Sequence, residues 1–547
     1  MSLKEMKDSV YTAITIGPIG KTLSKARSVK SFWTASYLFS WIMRELLKKL
    51  PKENFEILSP YRAGKDVSEK ISKKVGLFPD RLFAEGELEK GKIDSIKKEI
   101  FEELAKKFKK TFQKQKEDIE QKIATEKKKN RIADENNKRL KELDEIKSRY
   151  STAISKGEED ICKFLESYFS ISCIMVELDS NCGILKRLNS YLDTQELFNK
   201  APIQTNEDYI ELFIESSKNS FLQGYSEERA FPSTSEIAVS GWEQAPPKDE
   251  NGELEYSQLT SKPGFRNCYK YLVVIKADGD GFGTYIKNLK VQEDEDKKVD
   301  DELTKFAKSF FEFSVEVADE LIQKTKAIPV YIGGDDLFLF APVLEGNTEK
   351  DVFNLIKEID KLFIQKKIGE GLSMSYGVSI FYYKSPMSEA IEIAESMLRK
   401  AKDATRDAVA ISIQKHSGQR IEFLLPCKHS TDKCKQETGL YKKATELIRA
   451  FKEDESMLNS LIYWIEDMYE TIFTDEVALY KERINAVFDN FFDEGIHKEN
   501  ETFFALLKDF IYSMHRSEDA PRELKDKKKL LHGILRYCQF VTSKTEK

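Results

Sequence analysis

The sequence predicts an α+β protein of several domains, and three observations carry that prediction. At 547 residues the chain exceeds what one hydrophobic core supports, and usual domain sizes divide it into three or four. From Cys268 onward apolar strands and amphipathic helices alternate regularly, whereas after Gly439 the periodicity is helical only. Composition agrees: 40% hydrophobic and 33% charged residues furnish cores beneath a charged surface, which excludes a largely disordered chain.

The first element is a strand near residues 11–16, then the turn Gly17-Pro18-Ile19-Gly20, then a helix over about 24–50. Within it Phe32, Trp33, Tyr37, Leu38, Trp41, Ile42 and Leu46 form a wide apolar face suited to packing. Over about 88–150 a dense Lys and Glu mixture carries Phe101, Leu104, Phe108, Phe112, Ile119 and Ile123 at spacings of three, four and seven. That pattern predicts two long amphipathic helices broken near 130–137, a projecting antiparallel pair with a solvated charged face. A strand at about 171–178 follows, so the pair interrupts an α+β domain covering 1–200. Residues 201–265, with the turn-rich stretches 245–249 and 251–252, read as a region between domains.

Residues 266–425 take the order βαββαβαβ. The strands fall near 271–277, 328–332, 337–341, 372–381 and 408–414, with helices near 303–326, 350–366 and 387–404. This is the order of a palm, or nucleotide-cyclase, fold. Residues 426–547 predict a bundle of four or more helices.

Several function classes are disfavoured at once. A net charge of −6 gives no whole-molecule attraction to nucleic acid, so any RNA contact must be local. The seven cysteines are odd in number and form no CxxC pair, which reads as reduced thiols in a cytoplasm. Neither a signal-peptide pattern nor a run of about 18 apolar residues occurs, so no membrane partner is expected.

Two clusters carry chemistry. Asp278-Gly279-Asp280-Gly281-Phe282-Gly283 ends the first palm strand, and its glycines let backbone approach a ligand closely. Gly333-Gly334-Asp335-Asp336 lies between two apolar strands, at a hairpin tip. Either alone is an ordinary turn or a calcium loop. Together they end strands that an antiparallel sheet brings side by side, and paired carboxylates without histidine suit Mg²⁺ or Mn²⁺. Two such ions activate an attacking hydroxyl and stabilise a leaving pyrophosphate. Lys402 and Arg406, four apart near a helix C-terminus, share a face that can meet a triphosphate.

These residues resemble a known family, the large palm-domain subunit of type III CRISPR effector complexes, most like the Cmr (type III-B) branch. Ile16-Gly-Pro-Ile19 with Phe32-Trp-Thr-Ala-Ser-Tyr-Leu38 is similar to that family's N-terminal palm signature, and Gly76-Leu-Phe-Pro-Asp-Arg-Leu-Phe83 and Phe231-Pro-Ser-Thr234 to its landmarks. The two acidic clusters, Ser373-Met-Ser375-Tyr-Gly377-Val378, the Lys402 helix and His416-Ser-Gly418 resemble its catalytic palm, itself related to GGDEF-type cyclases.

The resemblance implies two ferredoxin-like palms and a synthase switched on when guide RNA pairs with target RNA, condensing ATP into cyclic oligoadenylate. Some members are reported to join AMP to S-adenosylmethionine instead, which makes that a candidate co-substrate. It further implies that Asp278 and Asp335 are the principal metal ligands, with Asp336 and Asp280 completing the site. Lys402 and Arg406 would hold phosphates, Gly333 and Gly334 would admit the nucleotide, and Ser375 and Phe282 would line its pocket.

Partners would be the other Cmr-type subunits with guide and target RNA. Two departures from the family pattern bear on its other activities. No His-Asp pair occurs among the five histidines, so an HD nuclease is not expected; and Cys427, His429 and Cys434 are a weak substitute for its zinc site. A catalytically dormant scaffold and a stand-alone GGDEF-like cyclase are the alternatives.

Overall fold

The computed structural model describes residues 8–62, 75–128, 134–179, 183–197, 208–222, 231–242, 254–260, 262–288, 299–366, 368–369, 371–404, 406–427, 439–452, 455–473, 480–516 and 520–544. Two sheets organise them. In the first, β1 (Asp8–Gly17), β2 (Glu56–Ser59), β3 (Arg81–Glu85) and β4 (Ser170–Asp179) lie in the order β2-β3-β1-β4. Helix α1 (Val29–Lys49) follows β1, and α2 (Lys92–Lys128), α3 (Asp134–Ser155) and α4 (Gly157–Tyr168) separate β3 from β4.

The second sheet repeats the plan. Its elements are β5 (Tyr271–Asp280), α5 (Val299–Lys324), β6 (Ile328–Gly333), β7 (Asp336–Pro342), α6 (Val352–Gln365), β8 (Ser373–Tyr382), α7 (Met387–Ala404), β9 (Ala408–Gln414) and β10 (Arg420–Pro426). The strand order is β10-β9-β8-β5-β7-β6. The inner four, β8-β5-β7-β6, run fourth-first-third-second, as the first sheet does, so both are ferredoxin-like.

Local chemistry sets several boundaries. Helix α1 starts at Val29, later than the apolar pattern suggests, because Ser28 and Ser31 form a capping box: Ser31 N–H donates to Ser28 Oγ at 3.1 Å and Ser28 N–H to Ser31 Oγ at 2.8 Å. A short helix, Ile19–Leu23, stands where a turn was expected. Strand β10 went unread in the sequence, although Ile421, Phe423 and Leu425 are buried at its period of two.

The helical pair does not project freely. Phe112 meets Tyr150 and Lys147 pairs with Glu120, so α2 and α3 run antiparallel. The apolar face of α2, however, is buried against its own domain: Phe101 stacks on Phe169, and Phe108 on Phe213 at 3.8 Å and 5°. A stripe at helical spacing buries itself wherever a partner face is in reach. Phe213 lies on the helix Tyr209–Glu215, so this part of 201–265 belongs to the first core, while the helix Thr234–Ser240 packs on the second sheet. The stretches 245–249 and 251–252, and His429 and Cys434, lie outside the described residues.

Helix α1 joins the halves, since all seven of its apolar-face residues are buried and Phe32 meets Phe338 of β7 edge-on at 6.2 Å. The tail forms α8 (Leu440–Ala450), α9 (Glu455–Asp467), α10 (Tyr480–Asp489), α11 (Glu501–Arg516) and α12 (Leu524–Thr542). Helix α12 lies on β10, with Gly533 against the Phe423 ring. No helix among the described residues is long and apolar enough to cross a membrane.

Candidate functional site

Register brings the acidic clusters together. Across β5 and β7 Asp278 pairs with Asp336, and across β6 and β7 Gly333 pairs with Asp336 at the hairpin tip. Gly279 N–H donates to the Asp335 carbonyl at 3.1 Å, and a side chain at Gly279 would strike the Phe282 ring and stand 2.9 Å from Asp335 Cβ. Gly281 and Gly334 have φ of 81° and 62°, where glycine is favoured. Gly283 is different, because a Cβ there would meet nothing within 4 Å.

Asp278 and Asp336 line a cavity of about 530 Å³ between the two halves of the protein. Helix α7 presents Glu395, Leu398, Arg399 and Lys402 to it, at spacings of three and four along one face. Lys402 Nζ ion-pairs with Asp278 and donates to the Gly279 carbonyl at 3.1 Å. Lys276 lines the same wall, paired with Glu395 at 3.1 Å.

Burial and neighbouring acids raise two of these carboxyls. Burial, then Asp335 and Asp278, lift the Asp336 carboxyl to about 7, although its side chain opens onto the cavity. Burial and then Asp278 raise Asp335 as well.

Not every expected residue faces this cavity. Asp335 and Gly334 line a neighbouring one of about 220 Å³, together with Phe282. The 77–81 segment separates the two: Phe78 and Asp80 face the first, Leu77, Pro79 and Arg81 the second. Phe282 packs among Phe306, Phe310 and Phe363. Asp280 is buried, its Oδ2 accepting from Ser375 Oγ at 2.7 Å, Ser373 Oγ at 3.2 Å and Asp407 N–H at 2.9 Å, while its Oδ1 has no hydrogen-bond partner.

Two expectations need correction. Helix α7 ends at Ala404 and Arg406 takes a left-handed φ of 54°, so the four-residue relation to Lys402 lapses and Arg399 lines the cavity in its place. At Gly333 the space is filled, since a Cβ would stand 2.6 Å from Tyr331 Oη and 2.9 Å from the Leu77 carbonyl. What that glycine admits is the Tyr331 ring and the Leu77 backbone.

Asp80 escaped sequence reasoning as a site residue because it comes from the other sheet. It is held there by Ser40 Oγ, which accepts from Leu77 and Phe78 N–H at 3.0 Å each, and by Ile332 N–H, which donates to the Gly76 carbonyl at 2.9 Å. Burial raises its carboxyl. Its only signal was a carboxylate between Pro79 and Arg81 in a phrase otherwise apolar.

The donor set suits a hard divalent cation, for the Lys402 ammonium already sits on the Asp278 carboxylate and the Gly279 carbonyl, both oxygen donors. As arranged, no three His, Cys, Asp or Glu side chains among the described residues converge tightly enough to clasp an ion.

Duplicated palms, an acidic hairpin tip opposite an acidic strand end and a cationic helix define a nucleotide-cyclase-like class of protein. Two family models match in agreement: the second palm domain of Cas10/Cmr2 over residues 271–410, and the N-terminal region of CRISPR-associated protein Cmr2 over 11–130. Residues 11–130 and 271–410 thus carry domains of the Cas10/Cmr2 family. The Cmr subunit Cmr2 of Pyrococcus furiosus is 32% identical over 99 residues, 18% of this chain and 11% of that protein.

Among solved structures, type III-B Cmr-beta in its apo state aligns with a TM-score of 0.55 at 12% identity, covering 98% of this chain and 82% of that one. Cmr-beta bound to cognate target RNA gives 0.54 at 11%, covering 98% and 84%. Likeness at this identity shows the fold.

Proposed function

We propose that this chain is the nucleotidyltransferase subunit of a type III-B RNA-guided effector complex, using ATP to make a nucleotide second messenger for antiviral defence in the cytoplasm. The observation that carries the reading is the register that sets Asp278 opposite Asp336 on one cavity wall, facing Lys402 and Arg399. Asp278 and Asp336, the acids that share this cavity, would hold Mg²⁺ or Mn²⁺, which would supply Lewis-acid activation of the attacking hydroxyl and charge neutralisation at the phosphates, and Asp335 would join them only by turning from the neighbouring cavity.

The chain's own groups do the rest. Lys402 exchanges its hold on Asp278 for a phosphate oxygen, and Arg399 offers a second cation. Asp280 acts as a positioning residue, tying the ends of β5 and β8 to Asp407 so that Asp278 keeps its place. Ile19, Leu23, Phe39 and Phe78 give the base an apolar wall. Other Cmr-type subunits, guide RNA and target RNA are the partners, consistent with the target-bound relative.

Replacing Asp335 and Asp336 together by Ala should abolish ATP consumption by the assembled complex and leave its elution in size-exclusion chromatography unchanged. Unaltered turnover would sink the reading. Mass spectrometry of the product, with and without S-adenosylmethionine, separates cyclic oligoadenylate from an AMP conjugate. The ion pair of Lys402 with Asp278 favours a second reading, a dormant palm in a scaffold subunit. Absence of metal-dependent turnover in the unmodified complex would establish it.

A further inference from the structure

Strands β5 and β8 run from the acidic pocket, where Asp280 pairs with Ser373, to a far end where Tyr271 pairs with Tyr382. Nine residues of strand put that end about 30 Å away. There the β9–β10 turn sets Lys415 against α12, near Arg536, His532 and Lys528. Arg536 donates to His532 Nε2 at 3.2 Å and to Gln539 Oε1 at 3.1 Å, and among the described residues neither Lys415 nor Arg536 has a carboxylate partner. The acids nearby are Glu466, 3.4 Å from His532 Nε2, and Glu389, which accepts from Gln414 Nε2 at 3.2 Å.

Like charges so placed disfavour one another. Burial, then Arg536, pull the Lys415 ammonium down, and burial with Arg536, Lys528 and Lys415 lowers His532 against the pull of Glu466. An anion relieves both.

Rings adjoin the cations. His416 is exposed and stacks on Tyr382 at 4.5 Å and 25°, and the turn holds it there through His416 N–H, which donates to Tyr271 Oη at 3.0 Å. Tyr463, 62% exposed, lies under the Arg536 guanidinium at 6.0 Å.

We propose that this junction is a seat for single-stranded RNA, in which Lys415 and Arg536 hold phosphates and His416 carries an unpaired base on its outer face. Open rings beside unpaired cations fit a strand whose bases are free to stack, whereas a duplex keeps its bases inside. The seat is separate from the acidic pocket and does not rest on nucleotidyl transfer there.

The test uses the full chain and a fluorescein-labelled RNA 20-mer in anisotropy titrations over a series of salt concentrations. Lys415→Glu with Arg536→Glu should weaken binding roughly tenfold and flatten the log–log salt slope by about 1.4, the release expected for two phosphates of a single strand. His416→Ala should weaken binding severalfold with the slope unchanged, since stacking releases no counterions. A melting temperature matching the parent's shows that the fold survives; where charge reversal unfolds the chain, Lys415→Gln with Arg536→Gln replaces it.

Parent-like affinity and slope in the double variant would overturn the proposal. So would equal losses for the duplex of the same sequence, or displacement of the RNA by millimolar inorganic phosphate at constant ionic strength, which would mark a small-anion site. RNA carrying 4-thiouridine should cross-link to the peptides bearing Tyr382 or His416, and adducts confined to other peptides count against it.

Discussion

Gly377, midway along β8, pairs with Lys276 of β5 and Ala410 of β9 and lies directly beneath α7. A methyl group there would stand 2.7 Å from Leu398 Cα, and nearer still to the Ala394 carbonyl oxygen and the Leu398 nitrogen. These are backbone atoms of a packed helix, so no side-chain rotation relieves the overlap. Carbon contacts settle near 3.5–4.0 Å, so Gly377→Ala requires α7 to withdraw by about 1 Å. Overpacking of this kind costs about 1–3 kcal/mol. The same withdrawal draws Lys402 off the Gly279 carbonyl, now 3.1 Å away, at the wall where the phosphates would lie.

Two readouts therefore move together: the melting temperature falls by several degrees, and KM for ATP in the assembled complex rises about tenfold, the worth of a charge-assisted hydrogen bond. Gly283→Ala is the matched control, with nothing near its Cβ. Parental melting and KM in Gly377→Ala, or equal damage from Gly283→Ala, would refute the argument.

Three further outcomes are expected. The folded state holds the Asp336 proton more tightly than the unfolded chain does, because its carboxyl is raised to about 7. In EDTA, stability should therefore fall as pH rises from about 4 to about 7, by about 2 kcal/mol after discount for solvent access, and level off above; urea melts of the parent that strengthen over this range would contradict it, and Asp336→Asn should flatten the profile. Ser375→Ala removes the hydroxyl that donates to buried Asp280 and should cost about 2 kcal/mol in urea denaturation, with a loss under 0.5 kcal/mol refuting the hub role. Phe282→Ala, emptying a site among three phenylalanines, should cost about 3–5 kcal/mol in the same assay, and a neutral result would mean that the cluster is not a packed core.

The second palm was legible almost strand by strand, because its strands are continuous apolar runs and its acids fall where those runs end. Strands β2 and β3 were not, being four and five residues long and too short to show a period. The pairing of Asp278 with Asp336 could be anticipated from antiparallel geometry alone. That Asp335 and Asp336 open onto different cavities could not, since it depends on the segment 77–81, about 255 residues away in sequence. Arg406 misled because helical spacing was carried two residues past the end of α7. The insertion misled for the opposite reason: its charges are visible in sequence, while the partners of Phe101 and Phe108 are not.

The bond from Ile332 N–H to the Gly76 carbonyl has a practical side. Strand β6 ends the sheet order, and among the described residues its outer edge is met by the chain around Gly76, which forms a parallel bridge to Tyr331. A fragment cut to 266–425 would keep every acidic residue of the two clusters yet bare that edge, inviting self-association, and would shed the Phe78 and Asp80 wall. An inert, aggregating excised palm would thus say nothing about the catalytic power of the intact chain, and enzymology on this protein should begin from both halves together.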